Sequence, residues 1–537
     1  MPKGLNSHLK TAVKRSTLIL AATVVSQLVW FCIKILIVRN TTKEEFGIYS
    51  LMLTIFGVLV VITPLGIGSG VTRFVSINQG EKKKNKADEI SRAGIQIAFV
   101  LGLIAFILLY FFSGYIARHV FYIPGLASPL KLISFLLPFS IYSGIIGGIL
   151  LGNGFIVQKI TNDLLMPLFY LVLISAALLL NKTFNGILFA YASASLTIYS
   201  LIIIFGFKKL GRAALLPTPR HGMVSEGGRL YGELVKFSIP LLVAGVTGMI
   251  IMWTDTIMVG RYINAQAVGT YSVSVSLVNL LNFPLQALAY VFLPIAGEIY
   301  ASSRQGHKGL QDLKRAYQVL TKWAFTVTLP IFFVLFFFPQ MSITALFGAR
   351  FTDAAMPLRF LAFGLMINAF LGMNTMLMMV MGFSRTIMNI SITGAIFNII
   401  LNYVLVKKAG LGLDGAAIST MSSYILLNIL YSLSLYRGSG LHPFSPSYLK
   451  PLAGTAIAGL LIYVAAKSLP LSSWMLPVYL FLFVGGYGAS LLLTRSIEEE
   501  DLYMMKRVFQ RFGIRPERLI KALSRFSPEV EKQEAGM

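Results

Sequence analysis

"LIVRNTTKEEFGIYSL" (residues 36–51) and "MVGRYINAQAVGTYSV" (residues 258–273) align without a gap at an offset of 222. Arg39 falls on Arg261, Gly47 on Gly269, Tyr49 on Tyr271 and Ser50 on Ser272. Four identities decide little alone, but the surroundings repeat too. Each arginine ends an apolar segment, a short polar turn follows, and Gly-x-Tyr-Ser opens the next segment. The basic stretch 73–92 matches 297–322 at the same offset, and "LGNGF" (151–155) resembles "MGFSR" (381–385). The pattern predicts six helices used twice, in the same orientation because six is even, with a basic linker at 207–233 between the halves. Parallel repeats place a substrate path between them, on an axis along the membrane normal.

A chain of 537 residues that is 56% hydrophobic and 12% charged, with mean hydropathy +0.75, has the composition of an integral membrane protein. A helix needs roughly 20 apolar residues to cross the hydrocarbon core. Fourteen segments between residues 16 and 494 meet that length when those with one or two polar residues are admitted. The expected fold is therefore all-α, with about 14 transmembrane helices. Residues 1–206 and 234–435 form two six-helix lobes, 436–494 supply two further spans, and 495–537 form a tail.

Lys and Arg set the orientation, because cytoplasmic loops carry the excess. With the N-terminus inside, cytoplasmic segments hold 34 of the 46 basic residues, outer loops hold 11, and Lys34 lies within a span. Both termini are thus expected in the cytoplasm of a cell-membrane protein. The net charge of +25 finds its partners in anionic lipid headgroups, so nucleic acid is not needed. The basic residues before the first span resemble a signal n-region, but that span is long enough to cross and lacks a cleavage site, so it is expected to be retained.

Cys32 is alone and the five histidines have no ligand spacing, which argues against a structural metal or a Cys/His nucleophile. No Gly-Lys dipeptide occurs, so there is no Walker A loop. The chain is read as a transporter without cofactor, drawing on a gradient, and not as an enzyme.

"EEFGIYSL" with "PLGIGSGVTRF" (64–74), "TDTIMVGRYINAQAVGTYSV" (254–273) and "LNYVLVKKAGLGLDGAAIST" (401–420) resemble the polysaccharide and O-antigen flippases of the multidrug/oligosaccharidyl-lipid/polysaccharide (MOP) exporter superfamily. The resemblance implies two six-helix lobes in a V, related by a parallel pseudo-twofold and alternately open to each side, that move a polyprenyl-linked oligosaccharide to the outer leaflet. Fourteen spans are also similar to the lipid II flippases. The implied partners are the lipid-linked glycan and cell-envelope glycan enzymes. A multidrug or cation antiporter of the same superfamily is the alternative; a membrane scaffold or membrane-bound glycosyltransferase is the alternative of another class.

A lipid-linked sugar carries a phosphate, hydroxyls and an apolar tail, so it calls for buried cations, amides and a greasy opening. Arg39 and Arg261, one per half, and Lys34, within the first span on a face shared with Gln27, are the candidate cationic zone. Arginines at helix ends also serve as interfacial anchors. Asp255, one position off the repeat-equivalent of Lys34, is the candidate gating or coupling carboxylate, with Lys34 as its expected partner. Asn279, Asn282, Asn368, Asn374 and Asn398 are candidates for the polar lining, although amides also join membrane helices to one another. Gly144, Gly148 and Gly152 predict a close-packing face, and Pro64, Pro240, Pro284 and Pro330 are candidate hinges. In the tail, Ser496 and Glu499 form a capping box ahead of an amphipathic helix whose apolar face includes Leu502. A docking site for a partner enzyme is the other reading of that tail.

Overall fold

The computed structural model describes residue 23 and residues 25–155, 161–180, 183–211, 224–303, 308–444, 450–468, 476–494, 496, 501, 502 and 517. The fold is all-α, with no strand among these residues. Eight helices are long and apolar enough to cross a membrane, or nine if the pair Pro124–Ser134 and Leu136–Gly152, bent by 43°, is one span. Other expected spans fall on shorter helices such as Met166–Leu180 or run into undescribed residues.

The helices follow in order: α1 (25–40), α2 (Lys43–Ile62), α3 (Ile67–Gly80), α4 (Lys84–Tyr115), α5 (Ala127–Ser134), α6 (Leu136–Gly152), α7 (Met166–Leu180), α8 (Phe184–Leu210), α9 (Val224–Tyr262) and α10 (Ala265–Val278). They continue with α11 (Asn282–Ser303), α12 (Lys308–Phe337), α13 (Pro339–Phe347), α14 (Ala355–Leu371), α15 (Asn374–Val380), α16 (Ser384–Asn402), α17 (Gly412–Ser439), α18 (Lys450–Ser468) and α19 (Leu476–Leu493).

The repeat is visible in how these helices start and stop. Thr42 caps α2: its hydroxyl accepts from the Glu45 N–H at 3.2 Å, while the Glu45 carboxylate accepts from the Thr42 N–H at 2.8 Å, a complete capping box. At the equivalent position Asn264 caps α10, its side-chain oxygen accepting from the Ala267 N–H at 2.8 Å. Gly154 and Gly382 both take φ +85°, which glycine adopts without strain. Each lets the following phenylalanine return to the preceding helix: Phe155 N–H to Leu150 O and Phe383 N–H to Met378 O, both at 2.8 Å.

By backbone contact the chain divides into two compact units. One comprises Ala22–Ser272 and Ile399–Ala416, the other Met1–Ala21, Val273–Asn398 and Ala417–Met537. We call them the seam unit and the tail unit. The division falls within α10 and not in the linker 207–233.

In the seam unit, α3 crosses α6 on the predicted small-residue face. A Cβ on Gly148 would lie 2.7 Å from Gly68 O, and one on Gly152 would lie 3.0 Å from Thr72 O. The Thr72 hydroxyl donates to Gly148 O at 2.9 Å, across the gap that the missing side chains leave. Gly144 faces open space and takes no part. Between α2 and α3 the span is interrupted at residues 63–66, where Pro64 removes a donor and Leu65 (φ +49°) and Gly66 (φ +74°) are left-handed.

In the tail unit, Phe325, Leu329 and Phe333 of α12 pack with Met366 and Ala369 of α14 and with Ala458, Phe483 and Tyr487 of α18 and α19. Phe333 and Phe483 stack at 4.3 Å, and Gly459 leaves room for the Phe333 ring. Pro330 lies inside α12. The start of the tail is anchored here: buried Asp501 pairs with buried Lys322 and accepts from the Trp323 indole N–H at 2.7 Å. Leu502 is buried beside it instead of lying on a lipid-facing surface, because that ion pair holds its helical turn against the protein. Glu499 and most of the expected amphipathic tail helix lie outside the described residues.

Candidate functional site

The two quoted stretches meet each other. Gly47 of α2 lies against α10 so closely that a Cβ on it would stand 1.7 Å from Ala265 O and 2.9 Å from Gly269 N. Reciprocally, a Cβ on Gly269 would stand 2.1 Å from Lys43 O and 3.1 Å from Gly47 N. Lys43 and Ala265 are themselves equivalent in the repeat, so this crossing is self-complementary, as a contact on a twofold axis must be. Only glycine permits main chain to approach main chain at this distance.

From this crossing a seam of small residues runs along α9. A Cβ on Gly260 would lie 3.1 Å from the Leu51 side chain, and one on Gly57 would lie 3.6 Å from the Trp253 indole. Gly66, in the break of the second span, lies over Ser238 O at 2.5 Å from its would-be Cβ. Farther along, Phe74 and Phe237 meet edge to face at 5.3 Å, with the Arg73 guanidinium 4.3 Å above the Phe237 ring. The second and seventh spans therefore pack from one end to the other.

Beside the glycine crossing is a buried carboxylate. Asp255 of α9 accepts from the Tyr271 hydroxyl of α10 at 2.5 Å and from the Asn402 amide at 2.8 Å. All three are buried. Two donors on two different helices offset part of the cost of removing a carboxylate from water. Lys34 does not pair with it: this half-buried ammonium has neither a hydrogen bond nor an ion pair among the described residues. The expected Lys34–Asp255 pair is thus replaced by Tyr271 and Asn402, which α10 and α16 bring closer to the carboxylate.

The other candidates separate by environment. Arg39 and Gln27 are exposed, and Arg261 lies 4.6 Å over the Tyr122 ring. Arg73 lies mid-way along α3 over Phe237, Lys131 in the last turn of α5 over Tyr110, and Arg359 near the start of α14, donating to Phe336 O at 3.1 Å. In the tail unit Asn374 accepts from Tyr317 at 2.5 Å and donates to Leu371 O at 3.0 Å and Ser432 at 2.8 Å, which makes it a joint between helices. Asn398 donates to Thr420 at 3.2 Å, and Asn282 to Asn279 at 3.3 Å. Asn368 is half-buried on α14. Among the described residues no group of three His, Cys, Asp or Glu is placed to hold a metal ion.

Tyr271 was legible as a repeat identity, and Asn402 stood in the quoted stretch 401–420. Their convergence on Asp255 was not.

Comparison with known proteins agrees with this architecture. The family described as "Polysaccharide biosynthesis protein" matches residues 12–300, more than half of the chain, and the family MatE matches residues 240–404. The chain is 22% identical over 440 residues to an uncharacterized membrane protein of Methanocaldococcus jannaschii, covering 78% of this chain and 83% of that protein. It is 20% identical over 439 residues to the stage V sporulation protein B of Bacillus subtilis, covering 80% and 84%. Among solved structures, it is similar to the lipid II flippase MurJ in an inward closed conformation (TM-score 0.70, 16% identity, 89% of this chain and 98% of that one). It is also similar to an inward-facing multidrug resistance MATE transporter of the MOP superfamily (TM-score 0.63, 16% identity, 77% and 94%). The chain belongs to the polysaccharide biosynthesis protein family.

Proposed function

We propose that this protein is a flippase that moves a polyprenyl-phosphate-linked oligosaccharide across the cell membrane by alternating access, with both termini in the cytoplasm. Lys34 carries the reading: an ammonium on a membrane span with no anionic partner among the described residues. A lone intramembrane cation costs about 2.5–3.5 kcal/mol near the bilayer centre unless it faces a cavity or meets an anion. A lipid phosphate supplies that anion. Asp255, by contrast, is already engaged by two donors and offers little to a cationic drug in this state.

In this reading the Gly47–Gly269 crossing is the outer closure. Repeat-equivalent helices press together there and must part to release substrate. Asp255 sits behind the closure, where protonation or loss of its bonds to Tyr271 and Asn402 loosens α9 from α10 and α16. Anionic membrane lipids and cell-envelope glycan enzymes are the expected surroundings.

The drug or cation antiporter remains the second reading, favoured by the buried Asp255 and by the MatE match over 240–404. Reconstitution in vesicles with a fluorescent polyprenyl-pyrophosphate sugar in one leaflet separates the two. Arrival of the lipid in the opposite leaflet, slowed by Lys34→Gln, is the expected result. A lipid that stays in place while a cationic dye accumulates gives the antiporter reading.

A further inference from the structure

At the Arg39 end of the seam unit, near the glycine crossing, three cations gather on three tyrosines. The Arg261 guanidinium lies 4.6 Å from the Tyr122 ring centroid and 5.6 Å from that of Tyr262. Lys407 Nζ lies 5.2 Å from Tyr262 and 5.0 Å from Tyr403, and Lys408 Nζ lies 6.0 Å from Tyr403. The Tyr262 and Tyr403 rings meet edge to face at 6.2 Å. Local structure builds the cluster. Residues Tyr403–Lys408 form a π-helical turn, whose wider winding sets Tyr403 beneath both lysines. Tyr122 is exposed and held at φ +57°, a conformation uncommon for a residue with a side chain.

None of the three cations has an ion pair among the described residues. The aromatic faces attract each cation but bring no negative charge to balance three positive ones. The location is also against the topological trend, since these residues belong to loops expected on the outer side, where basic residues are scarce. Tyrosine rings at a membrane surface sit at headgroup level with their hydroxyls toward water, free to donate to an anion.

We propose that Arg261, Lys407, Lys408 and their three tyrosines form a binding site for a phosphate-bearing lipid headgroup at this end of the protein. The phosphate belongs either to an anionic phospholipid or to the pyrophosphate of the lipid-linked glycan; the second source rests on the flippase reading, the first does not. Binding is read without transport, by native mass spectrometry of the purified full chain titrated separately with phosphatidylglycerol and with farnesyl pyrophosphate.

Arg261→Gln/Lys407→Gln/Lys408→Gln is expected to weaken retention about tenfold, roughly 1.4 kcal/mol. Lys407→Arg/Lys408→Arg should retain binding, and Lys84→Gln/Lys86→Gln, on the exposed stretch before the third span, should leave it unchanged. Loss of phosphatidylglycerol alone, of farnesyl pyrophosphate alone, or of both supports the site and identifies its source. Equal retention of both probes by wild type and the triple Gln variant overturns it, as does an equal loss in the Lys84/Lys86 control. A protein that flips no glycolipid yet shows the difference keeps this site and loses the flippase reading.

Discussion

Tyr49 and Tyr271 are the same residue of the repeat in two different settings. Tyr49 meets the Tyr170 hydroxyl at 3.1 Å, and the Tyr191 ring edge-on at 6.3 Å, while Trp30 leans on Tyr170 at 5.8 Å. Tyr271 donates to the Asp255 carboxylate, which Asn402 also holds. The contributing helices correspond: α1, α2 and α7 supply Trp30, Tyr49 and Tyr170, and α9, α10 and α16 supply Asp255, Tyr271 and Asn402. One junction is filled by aromatic rings, two of whose hydroxyls meet each other. The other is built on a carboxylate whose bonds depend on its charge. A duplicated frame thus holds an aromatic junction in one half and a hydrogen-bonded carboxylate in the other.

The largest effect is expected where the halves are alike. Gly47→Val and Gly269→Val each drive a branched side chain into a main-chain oxygen that cannot rotate away. Both should reduce glycolipid transport in vesicles to background, and to the same degree because the contact is reciprocal. If one variant transports normally, the crossing is not a shared closure.

Asp255→Ala comes next, because it removes at once the hydrogen bonds that the Tyr271 hydroxyl and the Asn402 amide donate to the carboxylate, each worth about 1.5–3 kcal/mol when the acceptor is charged. A fall in the melting temperature of the detergent-solubilised protein, greater than for Asp255→Asn, is the expected outcome. Smaller again is Tyr271→Phe, which removes one hydrogen bond to the carboxylate and should cost up to about 1.7 kcal/mol, the upper end for hydrogen bonds between membrane helices. Tyr49→Phe deletes a bond between two neutral hydroxyls and should cost about 0.6 kcal/mol, the mean for such bonds. Equal melting shifts for Tyr271→Phe and Tyr49→Phe would remove the distinction between the two junctions.

Much of the frame could be read from the chain alone, because composition and loop charge are local properties. The glycines of the crossing stood in the first two aligned stretches, and Gly148 and Gly152 pack as their spacing of four predicts. That Gly47 touches Gly269 could not be read, since identity between two copies of a motif does not place the copies in contact. The partner of Asp255 was misassigned to Lys34 for a related reason: depth in the membrane is legible from position, but Asn402 reaches the carboxylate from 147 residues away. Leu502 joined an apolar face by periodicity, yet neighbouring Asp501 is drawn in by Lys322, and a single buried ion pair outweighs a helical pattern.

The most direct measurement follows the Gly47–Gly269 crossing as the proposed substrate is added. Glu44 and Gln266 are exposed, repeat-equivalent residues one position beyond Lys43 and Ala265. Spin labels at Glu44→Cys and Gln266→Cys, with Cys32→Ser removing the native thiol, report the separation of α2 and α10 by electron–electron resonance in nanodiscs. A single short distance is expected for the protein alone, and a second, longer population once a polyprenyl-pyrophosphate sugar is added. One unchanging distance with that lipid, or a longer population that appears only with a cationic dye, would contradict the account.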